Sequence, residues 1–346
     1  MKNKWSGAFQ LAAVYVGTVV GAGFATGKEI VEFFSQFGMI GLFGILASGL
    51  IFSYLGSKLM RISVKIKARS YQEFTIFLFG RIAGSLVNVL MLIMLIGVCA
   101  VMLSGAGAVF EEQLGLSKSF GVIFTIILSL IVMLVGMKGL FAVNTFVVPI
   151  MITFSFILFS LSIQLPGFMD RIDDYTMVDW KGLTSPFSYT ALNLSLAIAV
   201  LVPAASEIGD DETVKWGGII GGIALMFILL SSHFTLIMLE NIDSYAIPMA
   251  SIMRNLAPNL SWIYILVIYG EIFTSVIGNV YGLERQLNQY IKIPGILIIA
   301  LIFAVSYLIS FIHYGTLLSY LYPLFGYISL VFLLLLWAKP IPQKNV

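Results

Sequence analysis

Long apolar runs follow one another along the chain, separated by only short charged or Gly/Pro-rich punctuation. A hydrocarbon layer about 30 Å thick takes roughly 20 apolar residues per helical crossing, so each run has the length of a transmembrane helix. Helix 1 is expected over about 5–36, helix 2 over 38–61, helix 3 over 85–113, helix 4 over 120–136 and helix 5 over 143–164. An acidic stretch with Asp170, Asp173, Asp174 and Asp179 then precedes helix 6 over 186–209, helix 7 over 216–239, helix 8 over 260–289, helix 9 over 294–311 and helix 10 over 315–337. The expectation is an all-α polytopic membrane protein of about ten crossings. Five helices face five, as two repeats over about 5–165 and 186–338 of a single transmembrane domain, 1–346.

Composition agrees: 60% of the 346 residues are hydrophobic and 10% charged, whereas soluble domains carry about 25% charged residues. The lipid bilayer is therefore the first partner. A net charge of +2 does not suggest nucleic acid. The single cysteine, Cys99, lies in an apolar run and can form no intrachain disulfide. His233 and His313 lack Cys or acidic neighbours at metal-ligand spacing, so no catalytic or structural metal centre is expected. Neither a P-loop nor a GxSxG elbow is present, which disfavours ATP-driven transport and serine hydrolysis; the chain reads as a non-enzyme without an organic cofactor. The first apolar run follows Lys2 and Lys4 and is read as an uncleaved helix rather than a signal peptide, because so many spans follow it. Counting Lys and Arg on alternate sides leaves Lys28, Lys118, Arg171, Lys181 and Arg254 on one side and the other 14 of 19 opposite. Positive-inside bias then puts both termini in the cytoplasm of a cell-membrane protein.

Helix 1 carries Gly17-Thr18-Val19-Val20-Gly21-Ala22-Gly23-Phe24-Ala25-Thr26-Gly27, four glycines in eleven residues at mid-membrane depth. Each glycine costs up to about 1 kcal/mol against alanine in a helix interior. Close packing through small-xxx-small faces is one explanation. An unwound stretch whose freed N–H and C=O groups line a cavity is the preferred one. Helix 6 has Pro203 at the corresponding place, within Val200-Leu201-Val202-Pro203-Ala204-Ala205-Ser206-Glu207, and a proline cannot donate to the preceding turn. Paired interruptions in two halves point to a transporter substrate site.

This pattern resembles the amino acid, polyamine and organocation (APC) transporter superfamily with its leucine-transporter fold of two inverted five-helix repeats. Residues 16–29, Val-Gly-Thr-Val-Val-Gly-Ala-Gly-Phe-Ala-Thr-Gly-Lys-Glu, are similar to the opening of the YkvI-type membrane proteins of bacteria. The resemblance implies broken helices 1 and 6, with substrate between them beside helices 3 and 8. It places a substrate carboxylate on the amides of Gly21, Ala22 and Gly23, with Val202 and Ala204 at the helix 6 interruption. It also implies a sodium ion held by the carbonyls of Gly17, Val20 and Glu271 and by the Thr274 and Ser275 hydroxyls. The proton-coupled relatives' helix 5 lysine has no counterpart between Asn144 and Gln164, which favours sodium. Pro203 inside the helix 6 break and the carboxylate of Glu271 depart from the family pattern.

An ionised group at bilayer centre costs about 2.5 to 3.5 kcal/mol on insertion scales, so Glu271 and Glu207 must face a cavity, a partner or a proton. Glu271 is open to three roles: receiving a substrate amine, carrying a proton, or pairing with a neighbouring helix. Glu207 is a gate or a loop anchor. Lys28, Glu29 and Glu32 end helix 1, with Lys28 and Glu32 at i, i+4 spacing; a solvated helix end and an outer gate are both open. Glu284 and Arg285 close helix 8 as an inner gate or as topology charges. The function expected is a secondary active transporter, sodium-coupled, moving an amino acid or similar small amine-bearing solute. The alternatives are a proton-coupled transporter of that class and a membrane nutrient receptor that does not transport.

Overall fold

A computed structural model describes residues 4–173, 180–239, 247–256, 258–312 and 314–342. Lys2, Lys344, His313 and the acidic Asp174 and Asp179 lie outside the described residues. Among the described residues every regular element is a helix.

The first crossing is interrupted. Helix α1 (Lys4–Val19) ends at two β-branched valines, and Val20 and Gly21 are non-helical before the single turn α2 (Ala22–Ala25) and α3 (Lys28–Phe33). The α1 ladder closes with the Val20 amide on the Val16 carbonyl, and the next ladder bond runs from Ala25 to Gly21. Gly27, at φ 82°, lies in the left-handed region and turns the chain between α2 and α3, a conformation that disfavours any residue with a Cβ.

The second helix is continuous but wound unevenly, as α4 (Gly38–Ile51), a π-helical turn Phe52–Gly56, and α5 (Ser57–Ile66). The π turn frees a carbonyl, and Tyr15 of α1 donates its hydroxyl to Phe52 at 3.0 Å. A short helix, α6 (Tyr71–Phe79), leads into the long apolar α7 (Arg81–Leu114), then α8 (Lys118–Val135) and α9 (Met137–Ser162). After α10 (Phe168–Asp173), which carries Asp170 and Asp173, come α11 (Trp180–Ile208), α12 (Asp211–Leu236), α13 (Pro248–Leu256), α14 (Ser261–Leu287), α15 (Gly295–Ile309) and α16 (Tyr314–Ala338). Seven helical segments, including Lys28–Ile66 as one, are long and apolar enough to cross a membrane, and Gly295–Ile309 and Leu324–Ala338 are shorter apolar helices. Large hydrophobics such as Phe43, Leu86, Leu134, Phe146 and Trp262 lie exposed on the perimeter, as a lipid-facing surface requires.

One expectation fails. The interruption predicted in helix 6 is absent, and α11 runs unbroken through Pro203. Proline removes one donor, that to the Ala199 carbonyl. The helix absorbs the loss because α11 is buried on all sides there; residues Ala197 to Ala205 are essentially inaccessible. Gly282 of α14 admits the Ala199 backbone so closely that a Cβ at 282 would stand 3.0 Å from that carbonyl oxygen.

Two packed groups result. Helix α1 lies mainly against α12, which also packs on α4, the π turn and α5, while α11 joins them through α4 and α5. Helix α14 lies against α7 and α9, and α7 against α8 and α15, while α9 also packs on α1 and α12 and so links the two groups. Arg61 of α5 makes a two-pronged ion pair with Asp211 at the start of α12, at 3.1 and 3.2 Å, with Lys65 at 3.8 Å. Both partners belong to the first group, so the pair ties that group together instead of bridging it to the second.

Candidate functional site

The break in the first crossing faces the middle of α14. The Thr274 hydroxyl lies 3.2 Å from the Gly17 carbonyl and 2.8 Å from that of Glu271, its own turn; Ser275 lies 2.7 Å from the Val20 carbonyl and 3.4 Å from that of Gly17. Three backbone carbonyls and two hydroxyls therefore converge, all on residues at most 5% exposed or at the break itself. Five neutral oxygens on rigid elements suit a small hard cation without a carboxylate ligand. On its other flank Gly17 lets α9 approach, because a Cβ there would collide with the Asn144 side-chain oxygen.

Two small cavities flank the break. The central one, about 20 Å³, is lined by Thr18, Gly21, Glu29, Asn193, Asn279 and Tyr322 among others, and Ser275 reaches it from the oxygen cluster. Glu29 is 2% exposed, and Asn193 of α11 donates to its carboxylate at 3.4 Å and to the Tyr189 carbonyl at 3.0 Å. The other cavity, also about 20 Å³, holds Glu271 with Ser155, Ser232 and Tyr264. Tyr264 itself donates to the Ala25 carbonyl at 2.9 Å, and the Met249 amide donates to Thr26 at 3.0 Å, so α13 and α14 pin the second half of the broken helix. The rings of Phe33, Phe34 and Phe52 surround that of Tyr189, the latter two edge-on.

At the Lys4 end of the bundle the protein opens. A cavity of about 820 Å³ lies between α1, α9 and the α11–α12 junction, lined by Lys4, Gln10, Lys138, Thr145, Glu207 and Asp210. Asp210 caps α12, accepting from the Thr213 amide at 2.9 Å and its hydroxyl at 2.6 Å, and these bonds hold its carboxyl below the usual carboxylate range.

The residues singled out from sequence are distributed unevenly. Gly21 lines the central cavity, and the amides of Gly21, Ala22 and Gly23 stand at the start of α2; the Ala22 side chain is outside the described residues. Val202 and Ala204 are wholly buried inside α11 and line none of the cavities described above. Glu271 faces its own cavity, not the central one. Glu207 is on the wide cavity. Glu32 borders a fourth cavity at the opposite end, of about 360 Å³, with Lys181 and Thr184. Lys28 opens α3 one turn before Glu32. Arg285 is exposed and stays within its helix, its Nε donating to Tyr281 at 2.9 Å with the guanidinium over that ring. His233 meets Ser35 at 3.1 Å, and no group of three or more His, Cys, Asp or Glu among the described residues could hold a metal.

Sequence reasoning missed Glu29, Asn193 and Asn279 as cavity residues. The two asparagines, isolated within apolar spans, were the available signal. Glu29 read as a solvated helix end or an outer gate, because its position along helix 1 put it at the outer end; the structure has the turn at Gly27 just before it and lines the cavity with it.

No family model matches the chain. It is 51% identical over 345 residues to "Uncharacterized membrane protein YkvI" of Bacillus subtilis (strain 168), covering 100% of this chain and 99% of that one. The chain belongs to the YkvI family. "Uncharacterized protein YyaD" of the same organism is 22% identical over 98% of the chain and 99% of its own length. Among solved structures, MhsT in complex with L-phenylalanine matches with a TM-score of 0.70 at 13% identity, covering 90% of this chain and 79% of that one. A nucleobase-cation-symport-1 family transporter, closed on bromovinylhydantoin, gives 0.61 at 11% over 95% and 74%. A manganese transporter of Eremococcus coleocola gives 0.61 at 14% over 96% and 76%. The YkvI-family fold is thus the leucine-transporter fold, and its structural neighbours are transporters, not enzymes.

Proposed function

We propose that this protein is a secondary active transporter, a sodium-coupled symporter of an amino acid or similar small amine-bearing solute. Ten crossings are counted by joining α1 to α3 into one and adding α15 and α16 to the other long helices, arranged as two inverted repeats of five. Both termini are cytoplasmic by the distribution of positive charge.

The observation that carries the reading is the set of five oxygens at the break: the Gly17, Val20 and Glu271 carbonyls with the Thr274 and Ser275 hydroxyls. Broken transmembrane helices place carbonyls on a coupling cation and amides on an anionic substrate group. A sodium ion there joins α1 to α14, that is, one packed group to the other, and gives the ion differential contacts between two arrangements of those groups. The wide cavity at the Lys4 end is the route to the cytoplasm, and the contacts of α13 and Tyr264 with the second half of the broken helix hold the other side closed.

The test is uptake into proteoliposomes of the purified chain, screened over amino acids and amines. Accumulation must follow an inward sodium gradient. Accumulation that persists with choline replacing sodium and collapses with a protonophore rejects sodium coupling; binding with no flux under any gradient rejects transport.

A further inference from the structure

Glu29 is a carboxylate sealed in a cavity whose lining contains no Lys, Arg or His. A charge in such a place must be compensated, since an unpaired ion in low dielectric is strongly disfavoured. The compensation in hand is small. The single described hydrogen bond to the carboxylate is long, 3.4 Å, and comes from the Asn193 amide, whose other N–H serves the Tyr189 carbonyl at 3.0 Å. Asn279, in the same cavity and 4% exposed, makes no side-chain hydrogen bond to a described residue. The Tyr189 hydroxyl, buried close by, has no partner among the described residues.

The ligand's chemistry follows from these groups. A carboxylate with neutral amide and hydroxyl oxygens around it attracts a cation that donates hydrogen bonds in several directions, as an ammonium group does. A divalent metal is disfavoured, because a single carboxylate is present and no group of three metal-binding side chains occurs among the described residues. The free space, about 20 Å³, admits one group the size of a water molecule. Glu271 is separate: its cavity shares no lining residue with this one.

We propose that Glu29, steadied by Asn193 and sharing its cavity with Asn279, binds the positively charged nitrogen of the solute, so that the site accepts ammonium-bearing solutes and rejects their uncharged isosteres. This rests on the transport reading for its purpose, but its test fails independently of that reading. Thermal unfolding of the purified full chain is followed with amino acids, each paired with the 2-hydroxy acid of the same skeleton, and with sodium alone. Amino acids raise the wild-type melting temperature and the hydroxy acids do not. Glu29→Gln weakens the amino acid by at least about tenfold, as loss of a charge-assisted contact requires, while keeping the response to sodium alone; Glu212→Gln, at an exposed carboxylate in the first turn of α12, keeps both.

Wild-type affinity for the amino acid in Glu29→Gln, equal binding of the hydroxy acid, or no binding of any amino acid to the wild type overturns the proposal. A sodium response that survives in those cases leaves the transport reading standing. Should Glu29→Gln not fold, the wild type still decides: dicyclohexylcarbodiimide labelling read by peptide mass spectrometry is blocked by the bound amino acid at Glu29 and not at Glu271, and the reverse pattern overturns the proposal.

Discussion

The Ser275 hydroxyl lies 2.7 Å from the Val20 carbonyl, joining the middle of α14 to the first residue of the break between α1 and α2. Without an ion this hydroxyl donates to a carbonyl that has left the helical ladder. In the sodium-bound state proposed above, its lone pair faces the cation instead.

Thr274→Ala and Ser275→Ala each remove one of five oxygens. At sodium concentrations 100-fold above Kd the ion stabilises the native state by about 2.7 kcal/mol, a contribution that shrinks as affinity falls. Either variant should fold, should keep its melting temperature in choline, and should lose most of the sodium-dependent rise. A full sodium response in the double variant would remove the ion from this position.

Gly17→Ala places a methyl against the Asn144 side chain, itself fixed by a 2.9 Å bond to the Leu140 carbonyl. Overpacking of this kind costs about 1–3 kcal/mol. The melting temperature should fall, and pairing the change with Asn144→Ala should recover part of the loss; strictly additive losses would mean the two sites are not in contact.

Pro203→Ala tests whether α11 needs its proline. Since the helix is continuous there, the new amide can donate to the Ala199 carbonyl, worth about 0.5–1.5 kcal/mol. Unchanged or raised stability with sodium binding intact is the expected result. Lost binding at normal stability would show that the proline shapes the site after all.

Asp210→Ala removes the cap of α12 and should cost about 1 kcal/mol. The Thr213 bonds hold the folded-state carboxyl below its unfolded value, so their stabilisation is fully present above that unfolded value, about 4. It is lost as pH falls through the lower folded value. The gap in melting temperature between wild type and Asp210→Ala should therefore narrow on acidification, and a gap that widens would contradict the capping geometry.

Much of this protein was legible without coordinates. Apolar length alone located the long helices, because a bilayer leaves a backbone no partner but itself, while the short α6, α10 and α13 carried no such signal. The glycine run, read with the family resemblance, marked where helix 1 opens, and that resemblance placed Gly17, Val20, Thr274 and Ser275 together. Two matters were decided only by tertiary packing. Pro203 reads as a break, but burial of α11 on every side and the close seat at Gly282 keep the helix whole. Glu29 reads as a helix end in water, but the left-handed turn at Gly27 directs it to a cavity built from four other helices. Local sequence states what a residue prefers. Where the chain turns in space determines which neighbours it meets, and that depends on contacts hundreds of residues apart.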